Sequence, residues 1–459
     1  MDVIAIFDIG KTNKKILLFD DKLNVVFQEE QKFPTILDED NFECDDIQLI
    51  ENWIIDTLEK LSKDASYSIK GVNFSTYGAT LAYLDRNGER LTPIYNYLKP
   101  IDSSIAENVY EVNGGKKEFS RVTGSPALDM LNSGLQIKWL KDHHATVFHQ
   151  VENILHFPQY LSYILTGLIT SEHTSIGCHT AMWNFEENRY HNWLAKEQIT
   201  LPSPISATST FDSKLPSVPN KIGIGIHDSS ASLVPYLISE NEPFMLISTG
   251  TWCINLNPFN HDPLTSEQLQ KDCLNFMSIK QQPVKASRLF MGHIHDVNTI
   301  LLTNHFNVSK SHFKAVKATE EQIQNSLKGS ERIFFKSGIP ENYIDNSVDL
   351  NQFNSFEESY TQLMIDLTLL CIESLELIIS EKDKTKKIFI SGGFARNEIF
   401  VRLIATHFPD KQVYTSEIDN ASALGAALVI WETISQQNPN IELGLKEQKK
   451  YDQLSLVEA

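Results

Sequence analysis

Long apolar runs are missing from this chain of 459 residues: the most hydrophobic stretch, 363–379, is interrupted by Asp366, Glu373 and Glu376. Nothing approaches the ~18 consecutive apolar residues that a membrane-spanning helix needs. An excess of positive charge is also missing. Lysine and arginine number 40 against 59 aspartates and glutamates, a formal net charge of -19 at pH 7. Such a surface repels phosphate backbones and anionic lipids, so neither nucleic acid nor a membrane is an expected partner, and a neutral second substrate fits it better than an anionic one. Cysteine is sparse: Cys44, Cys178, Cys253, Cys273 and Cys371 are odd in number, scattered, and include no C-x-x-C pair, so they read as reduced, buried thiols. The opening MDVIAIFDIG has an acidic second residue and no basic segment, and reads as a strand rather than a secretory signal. A cytoplasmic protein is expected. Glycine is scarce too, 20 residues in all against roughly 7% in average proteins, so glycines gathered in turns after strands carry unusual weight.

What is present suits a two-domain globular protein. Hydrophobic residues make up 41% and charged residues 22% of the chain, and a single core stops growing near ~250–300 residues. Residues 3–7 and 16–19 are β-rich runs around a polar turn, with a third run at 25–28. A helical pattern over 46–60 leads into a strand at 71–75. Helices are predicted over 130–144 and 156–165, and a loop over 200–220, which is rich in Ser, Thr and Pro. After a short strand at 222–226 the opening pattern recurs as a strand at 244–247, a Ser-Thr-Gly-Thr turn and a strand at 252–256. A helix over 356–380, a strand over 387–390, a Ser-Gly-Gly turn and a helix over 397–407 follow. The alternation indicates α/β architecture, and the recurrence indicates internal duplication, with the boundary between Asp228 and Pro243. Residues 436–459 are polar and are expected to form a surface helix or tail.

Three turns are candidates for handling phosphate. In FDIGKTNKK, Gly10 allows a tight bend, Thr12 and Asn13 offer hydrogen-bond donors, and Lys11, Lys14 and Lys15 offer charge; Asp8, just before the turn, suits a hydrated Mg²⁺. An ordinary hairpin turn uses the same residue types. The string is not a P-loop, which requires glycine where Ala5 stands and a helix where another strand follows. In LISTGTW, Thr249, Gly250 and Thr251 are placed to meet the same phosphates from the other half. In FISGGFARN, Gly392 and Gly393 offer flat backbone to a base or ribose, with Arg396 or Asn397 at its edge; a close helix entry reads the same way. Their joint appearance, in this order along two α/β halves, favours a nucleotide site.

Taken together these motifs resemble the FGGY carbohydrate kinases, relatives of actin and the hexokinases, over residues 3–431. FDIGKTN is similar to the family's first phosphate motif, STGTW to its second, and SGGFARN with EIDNASALGAALV to its adenosine motif and the helix behind it. The segments 121–144 and 161–177 resemble further family signatures, although Gln136 stands where a lysine is expected. HDSSA and STGTW are closest in character to the rhamnulokinase and fuculokinase branch.

The resemblance implies two actin-like (ribonuclease H-like) domains around a catalytic cleft: residues 1–235 binding sugar and carrying the base, and residues 236–435 binding nucleotide. It implies ATP with Mg²⁺ as cofactors, and a small neutral sugar or polyol, a ketose or deoxyketose, as acceptor, with a homodimer among the expected partners. It assigns the catalytic base to Asp228 in GIGIHDSSASL, a residue that by itself reads equally as a helix N-cap. Thr76 and Tyr77 in NFSTYGATLAYL are the implied sugar contacts; strand-end core residues are the plainer reading. The stretch 95–100, which ends in Lys99-Pro100, departs from a tryptophan-acidic-arginine pattern and bears on sugar specificity. Two other functions remain: an actin-superfamily ATPase, and a degenerate kinase serving as a ligand sensor.

Overall fold

The computed structural model describes residues 1–216, 218, 221–327, 332–435 and 437–451. Its first half is built on a seven-stranded mixed sheet. Strand β1 (Asp2–Ile9) forms an antiparallel hairpin with β2 (Lys14–Phe19), which continues antiparallel to β3 (Val25–Gln31). Helix α1 (Ile47–Ser62) begins where the Asp46 side chain accepts from the Leu49 N–H (3.2 Å), and buries Ile47, Ile50, Ile54 and Leu58. The chain then enters β4 (Ser68–Thr76), parallel to β1. β1 is buried along almost its whole length, as a central strand covered on both faces must be, which is why its sequence is a continuous apolar run rather than an alternation.

Beyond β4 lie β5 (Thr210–Phe211), β6 (Ile222–Gly223) and β7 (Ile226–His227); β6 and β7 both run parallel to β4, and β5 is antiparallel to β6. The one predicted strand over 222–226 is thus two, divided at Gly225. There φ is +80°, and a Cβ would lie 2.5 Å from the Pro158 carbonyl oxygen, so only glycine fits. β7 feeds helix α2 (Asp228–Ser239).

The second half repeats this plan. Strands β8 (Phe244–Thr249) and β9 (Cys253–Asn257) form the hairpin. Beyond it lie β10 (Cys273–Met277) and β11 (Pro283–Leu289), with β11 antiparallel to β9 and β10 at the edge. Helices α3 (Met291–His305) and α4 (Phe356–Glu376) precede β12 (Lys387–Gly392), which is parallel to β8. Helix α5 (Glu398–His407), β13 (Gln412–Thr415), helix α6 (Ala421–Ile434) and a short β14 (Lys446–Glu447) complete it. The strand orders β3-β2-β1-β4-β6-β5 and β11-β9-β8-β12-β13-β14 match in spatial order and direction, although the outer strand β5 precedes its neighbour in the chain and β14 follows its own. The duplication expected from two glycine turns is therefore one of whole sheets.

Each half lends a helix to the other. α6 follows the second sheet, yet Ala423, Ala426, Ala427 and Ile430 pack in one cluster with Ile4, Ile6 and Leu17 of the first. α2 follows the first sheet, yet Leu233 and Tyr236 pack with Phe244, Leu246 and Phe389 of the second. Position 235/236, expected as the division, falls inside α2. The region after 436 also departs from expectation. Residues 436 and 452–459 lie outside the described residues, but Lys446–Glu447 joins the second sheet, and the buried Tyr451 lies under the Arg402 guanidinium, 3.9 Å from its ring centre. An apolar ring seeks burial, and a sheet edge seeks a partner. No helix among the described residues is long and apolar enough to cross a membrane.

Candidate active site

The first hairpin turn and the N-termini of both exchanged helices meet at one place. Asp8 is the next-to-last residue of β1, between the buried Phe7 and Ile9. The N-terminus of α6 reaches it from the second half, where Ser422 Oγ donates to Asp8 Oδ2 (2.9 Å), while Lys15 Nζ donates to Asn420 Oδ1 (3.1 Å). Asp228 is the first residue of α2, close enough for its charge to act on Asp8. A helix N-terminus favours a carboxylate, but burial dominates here and pushes both groups up to about 6; Asp228's like charge adds to the rise at Asp8. The N-cap of α2 is His227 rather than Asp228, so the capping reading moves by one residue.

Asp228 is held from one side only. Its Oδ1 accepts from the Ser229 N–H (2.6 Å) and Ser229 Oγ (3.3 Å), and lies 3.1 Å from His227 Nε2. The side chain keeps 35% of its surface open, enough to meet a substrate. His227 is buried, which lowers its pKa to about 3, and its N–H donates to Thr174 Oγ1 (3.1 Å). Thr174 Oγ1 in turn donates to Glu172 Oε1 (2.7 Å), and Glu172 also accepts from the backbone of Thr174 and Ser175. Glu172, the acidic residue that follows Leu165-Thr166-Gly167, thus holds the backbone just before Asp228 through Thr174.

The first turn closes with the Gly10 N–H on the Asn13 carbonyl (2.9 Å) and leaves Thr12 exposed. Two of its three lysines are paired with one carboxylate. Lys14 is buried against Asp45 (2.7 Å) and the Lys11 carbonyl, while Lys11 also pairs with Asp45 (2.9 Å) and lies over the Tyr77 and Tyr97 rings at 5.2 and 5.5 Å. Lys14, expected at the phosphates, is instead the buried partner of a carboxylate. Tyr77 donates its hydroxyl to Asp45 Oδ2 (2.7 Å). Thr76 is fully buried and donates to the Tyr77 carbonyl (2.9 Å), so the last residue of β4 faces the core rather than the cleft. Tyr97 is half-buried, and after burial the nearby charges of Asp228 and Asp45 raise its pKa. It lies in the stretch already marked as a departure. Asp45 left no sequence signal, because nothing local ties it to a turn thirty-odd residues earlier.

The second turn and the glycine pair form a single unit. Thr249 Oγ1 donates to the Ser391 carbonyl and accepts from the Phe394 N–H (3.0 Å). Its hydroxyl, expected at the phosphates, is spent on shaping the glycine turn. Gly392 has φ +84°, and a Cβ there would lie 1.7 Å from the Thr249 carbonyl oxygen, whereas a Cβ on Gly393 would meet nothing within 4 Å. Gly250, Thr251 and Gly393 are exposed, so the open backbone expected of a nucleotide shelf is present. Thr251 is anchored from below, its carbonyl accepting from Gly292 (3.1 Å) and His293 (3.4 Å) at the start of α3. Asn397 caps α5 by accepting from the Phe400 N–H (3.1 Å), and Arg396 stands in solvent. At the rim the half-exposed Trp252 stacks on Phe290 at 4.4 Å.

Two duplicated α/β halves exchange helices, and the pair of carboxylates Asp8 and Asp228 lies where those helices begin. Comparison with known proteins supplies the family. Residues 3–227 match the FGGY family of carbohydrate kinases, N-terminal domain, and residues 241–439 match the carbohydrate kinase FGGY, C-terminal domain. The chain belongs to the FGGY family of carbohydrate kinases, ATP-dependent enzymes that phosphorylate sugars. It is 23% identical to a rhamnulokinase of Oceanobacillus iheyensis over 94% of this chain and 93% of that one. It is 24% identical to a rhamnulokinase of Mannheimia succiniciproducens, but that match spans only 55% of this chain and 52% of the relative. The fold is that of a carbohydrate kinase from Novosphingobium aromaticivorans, with a TM-score of 0.78 at 22% identity over 98% of this chain and 94% of the other.

Proposed function

We propose that the chain transfers the γ-phosphoryl group of ATP to a hydroxyl of a small neutral sugar, a ketose or deoxyketose, with Asp228 as the general base. The observation that carries this reading is the geometry of Asp228: a partly open carboxylate, pushed up to about 6 by burial, with one oxygen held by the N–H and hydroxyl of Ser229. A base poised near neutrality accepts a proton as the hydroxyl attacks, and returns it to water afterwards. The sugar rests beside Tyr77, Tyr97 and Lys11, and residues 1–235 carry this half of the site. Residues 236–435 hold the nucleotide, with the base and ribose over Gly392 and Gly393 and the phosphates between Gly10–Asn13 and Gly250–Thr251. The rhamnulokinase names of the relatives support a deoxyketose.

Asp8 is the group that would hold Mg²⁺, through water and ATP oxygens. The residues fit it: Asp8 keeps one carboxylate oxygen free of Ser422, and Asn13 has a buried amide oxygen that no protein group meets. No group of three or more His, Cys, Asp or Glu side chains that could hold a metal ion is found among the described residues. Mg²⁺ supplies charge neutralisation at the phosphates.

The reading as a degenerate kinase is suggested only by the departures at Gln136 and Lys99. Lys99 is not an empty substitution: it is buried between Asp38 and Asp40 (2.7 Å each) with its charge over Trp139, and so staples the 38–40 turn. Gln136, the other departure, is buried with both amide atoms unpartnered.

An ADP-release assay over ketoses, polyols and aldoses tests the reaction, and Asp228→Asn tests the base. Asn keeps the shape but cannot take the proton, so turnover falls by roughly 10²–10⁴-fold while sugar and ATP affinities hold. Near-normal turnover of that variant removes the assignment.

A further inference from the structure

We infer that Lys11 is a specificity-determining residue for the acceptor: its ammonium is one cation more than this part of the fold needs, and it donates to an oxygen of the sugar rather than to the phosphates of ATP. The inference rests on the reading of the cleft beside Asp228 as the acceptor site.

The charges around Asp45 do not balance. Its Oδ1 accepts from Lys14 Nζ (2.7 Å), and its Oδ2 accepts from Lys11 Nζ (2.9 Å) and from the Tyr77 hydroxyl (2.7 Å). Two ammonium groups thus share one carboxylate, and the carboxylate itself is buried. Like charges held this close repel, the more so where water is excluded. Folding alone gives no reason for a second cation here, and departures of this kind gather where function asks for them.

The two lysines do not stand equally. Lys14 keeps only 3% of its side chain open and also donates to the Lys11 carbonyl (2.9 Å). Its burial requires a counter-charge, and Asp45 supplies it. Lys11 keeps 29% open, so water can satisfy it without any carboxylate. An ammonium has three N–H bonds to give. Among the described residues Lys11 Nζ gives one, to Asp45, and the others remain for a ligand.

What surrounds those N–H bonds belongs to the acceptor side. Nζ lies 5.2 Å from the centre of the Tyr77 ring and 5.5 Å from that of Tyr97, and the two rings meet edge to face at 6.0 Å. A Cβ on the next residue, Gly78, would lie 3.1 Å from His227 Nε2, and His227 immediately precedes Asp228. Lys11, the two tyrosines and the proposed base therefore share one region of the first half. Lys15 is the lysine of this turn that reaches the second half, through Asn420 Oδ1 at 3.1 Å. Apolar ring faces with one placed donor are what binds a sugar, its C–H groups on the rings and an oxygen on the ammonium. An acceptor without that oxygen leaves the donor unmet and is rejected.

ADP release by wild-type protein is measured with D-xylulose, L-ribulose, D-fructose and xylitol, and the acceptor of highest kcat/KM is carried to Lys11→Met. Its KM is expected to rise by roughly 10–100-fold, the scale of one hydrogen bond from a charged donor, with KM for ATP within about twofold. A raised KM for ATP beside an unchanged KM for the sugar assigns Lys11 to the phosphates and overturns the inference, as do wild-type values for both. Thermal denaturation supplies an arm that needs no acceptor. Lys11→Met is expected to keep or raise the wild-type midpoint, because Lys14 and Asp45 still balance; a fall as large as that of Asp45→Asn shows that the ammonium serves the fold, and overturns the inference. A fully active Asp228→Asn removes the reading of the site and this inference with it. An inactive Asp228→Asn beside a kinetically normal Lys11→Met removes this inference alone.

Discussion

Gly425 on α6 faces the carbonyl of Ala231 on α2 so closely that a Cβ would lie 1.9 Å from the oxygen. That carbonyl also lacks its ordinary helical partner, because the residue four positions on is Pro235, which has no N–H to donate. A proline in one helix and a glycine in the other thus allow the two exchanged helices to cross almost backbone to backbone. The catalytic carboxylate proposed above begins one of them.

Gly425→Ala is therefore expected to force the helices apart and to cost about 1–3 kcal/mol, the usual scale of overpacking. Because α2 moves with Asp228 at its tip, turnover should fall as well. Urea denaturation of the variant beside wild type measures the first effect, and the ADP-release assay the second. An unchanged midpoint with full activity would show that the crossing tolerates a methyl group.

The glycine turn predicts a contrast between neighbours. Gly392→Ala places a carbon against the Thr249 carbonyl at a positive φ, so both folding of the turn and ATP affinity should suffer. Gly393→Ala should be tolerated, and Gly393→Trp should block ATP while sparing the sugar. Thr249→Val should resemble a mild Gly392→Ala, since its hydroxyl shapes the turn. Calorimetric titration of each variant with ATP and with sugar separates these outcomes; normal ATP affinity in Gly393→Trp would remove the nucleotide shelf from this position.

Asp45 neutralises two lysines, one of them, Lys14, only 3% exposed. Asp45→Asn is expected to destabilise the protein by about 3–5 kcal/mol, the cost of leaving a buried charge unpaired. Adding Lys14→Met should restore much of the loss. Denaturation midpoints of the single and double variants check this; equal midpoints for both would show that Lys14 is not the charge that matters.

The acid side of the pH profile has a predicted position and steepness. Asp228 and Asp8 are both pushed up to about 6, chiefly by burial, and the working form of each is the carboxylate. The rate kcat/KM is therefore constant above the midpoint and falls as pH drops through about 6, more steeply than one proton allows if both groups matter. His227, held near 3, stays neutral across this range and adds no limb. A profile measured from about pH 5 to 8, with folding checked by circular dichroism at each end, decides; a flat profile through pH 6 excludes a base with the shift found at Asp228.

The sequence by itself determined the class of fold, the duplication and the family, because those rest on local signals: apolar periodicity, glycines after strands, and motif strings. The turn at 10–13, the strand at 71–75 and the helix at 397–407 all lie within a few residues of their predicted places for that reason. What only the tertiary structure decided was how polar side chains spend their hydrogen bonds. Lys14 and Thr249 have the residue types of phosphate ligands, yet each is consumed by a partner distant in the chain, Asp45 for one and Ser391 and Phe394 for the other. The His227 ring lies between Asp228, Cys178 and the bare face of Gly78, neighbours of which two come from distant stretches of chain. Residue type and spacing set what a group can donate or accept, but the partner that claims it is chosen by folding, which brings together atoms that the chain keeps tens to hundreds of residues apart.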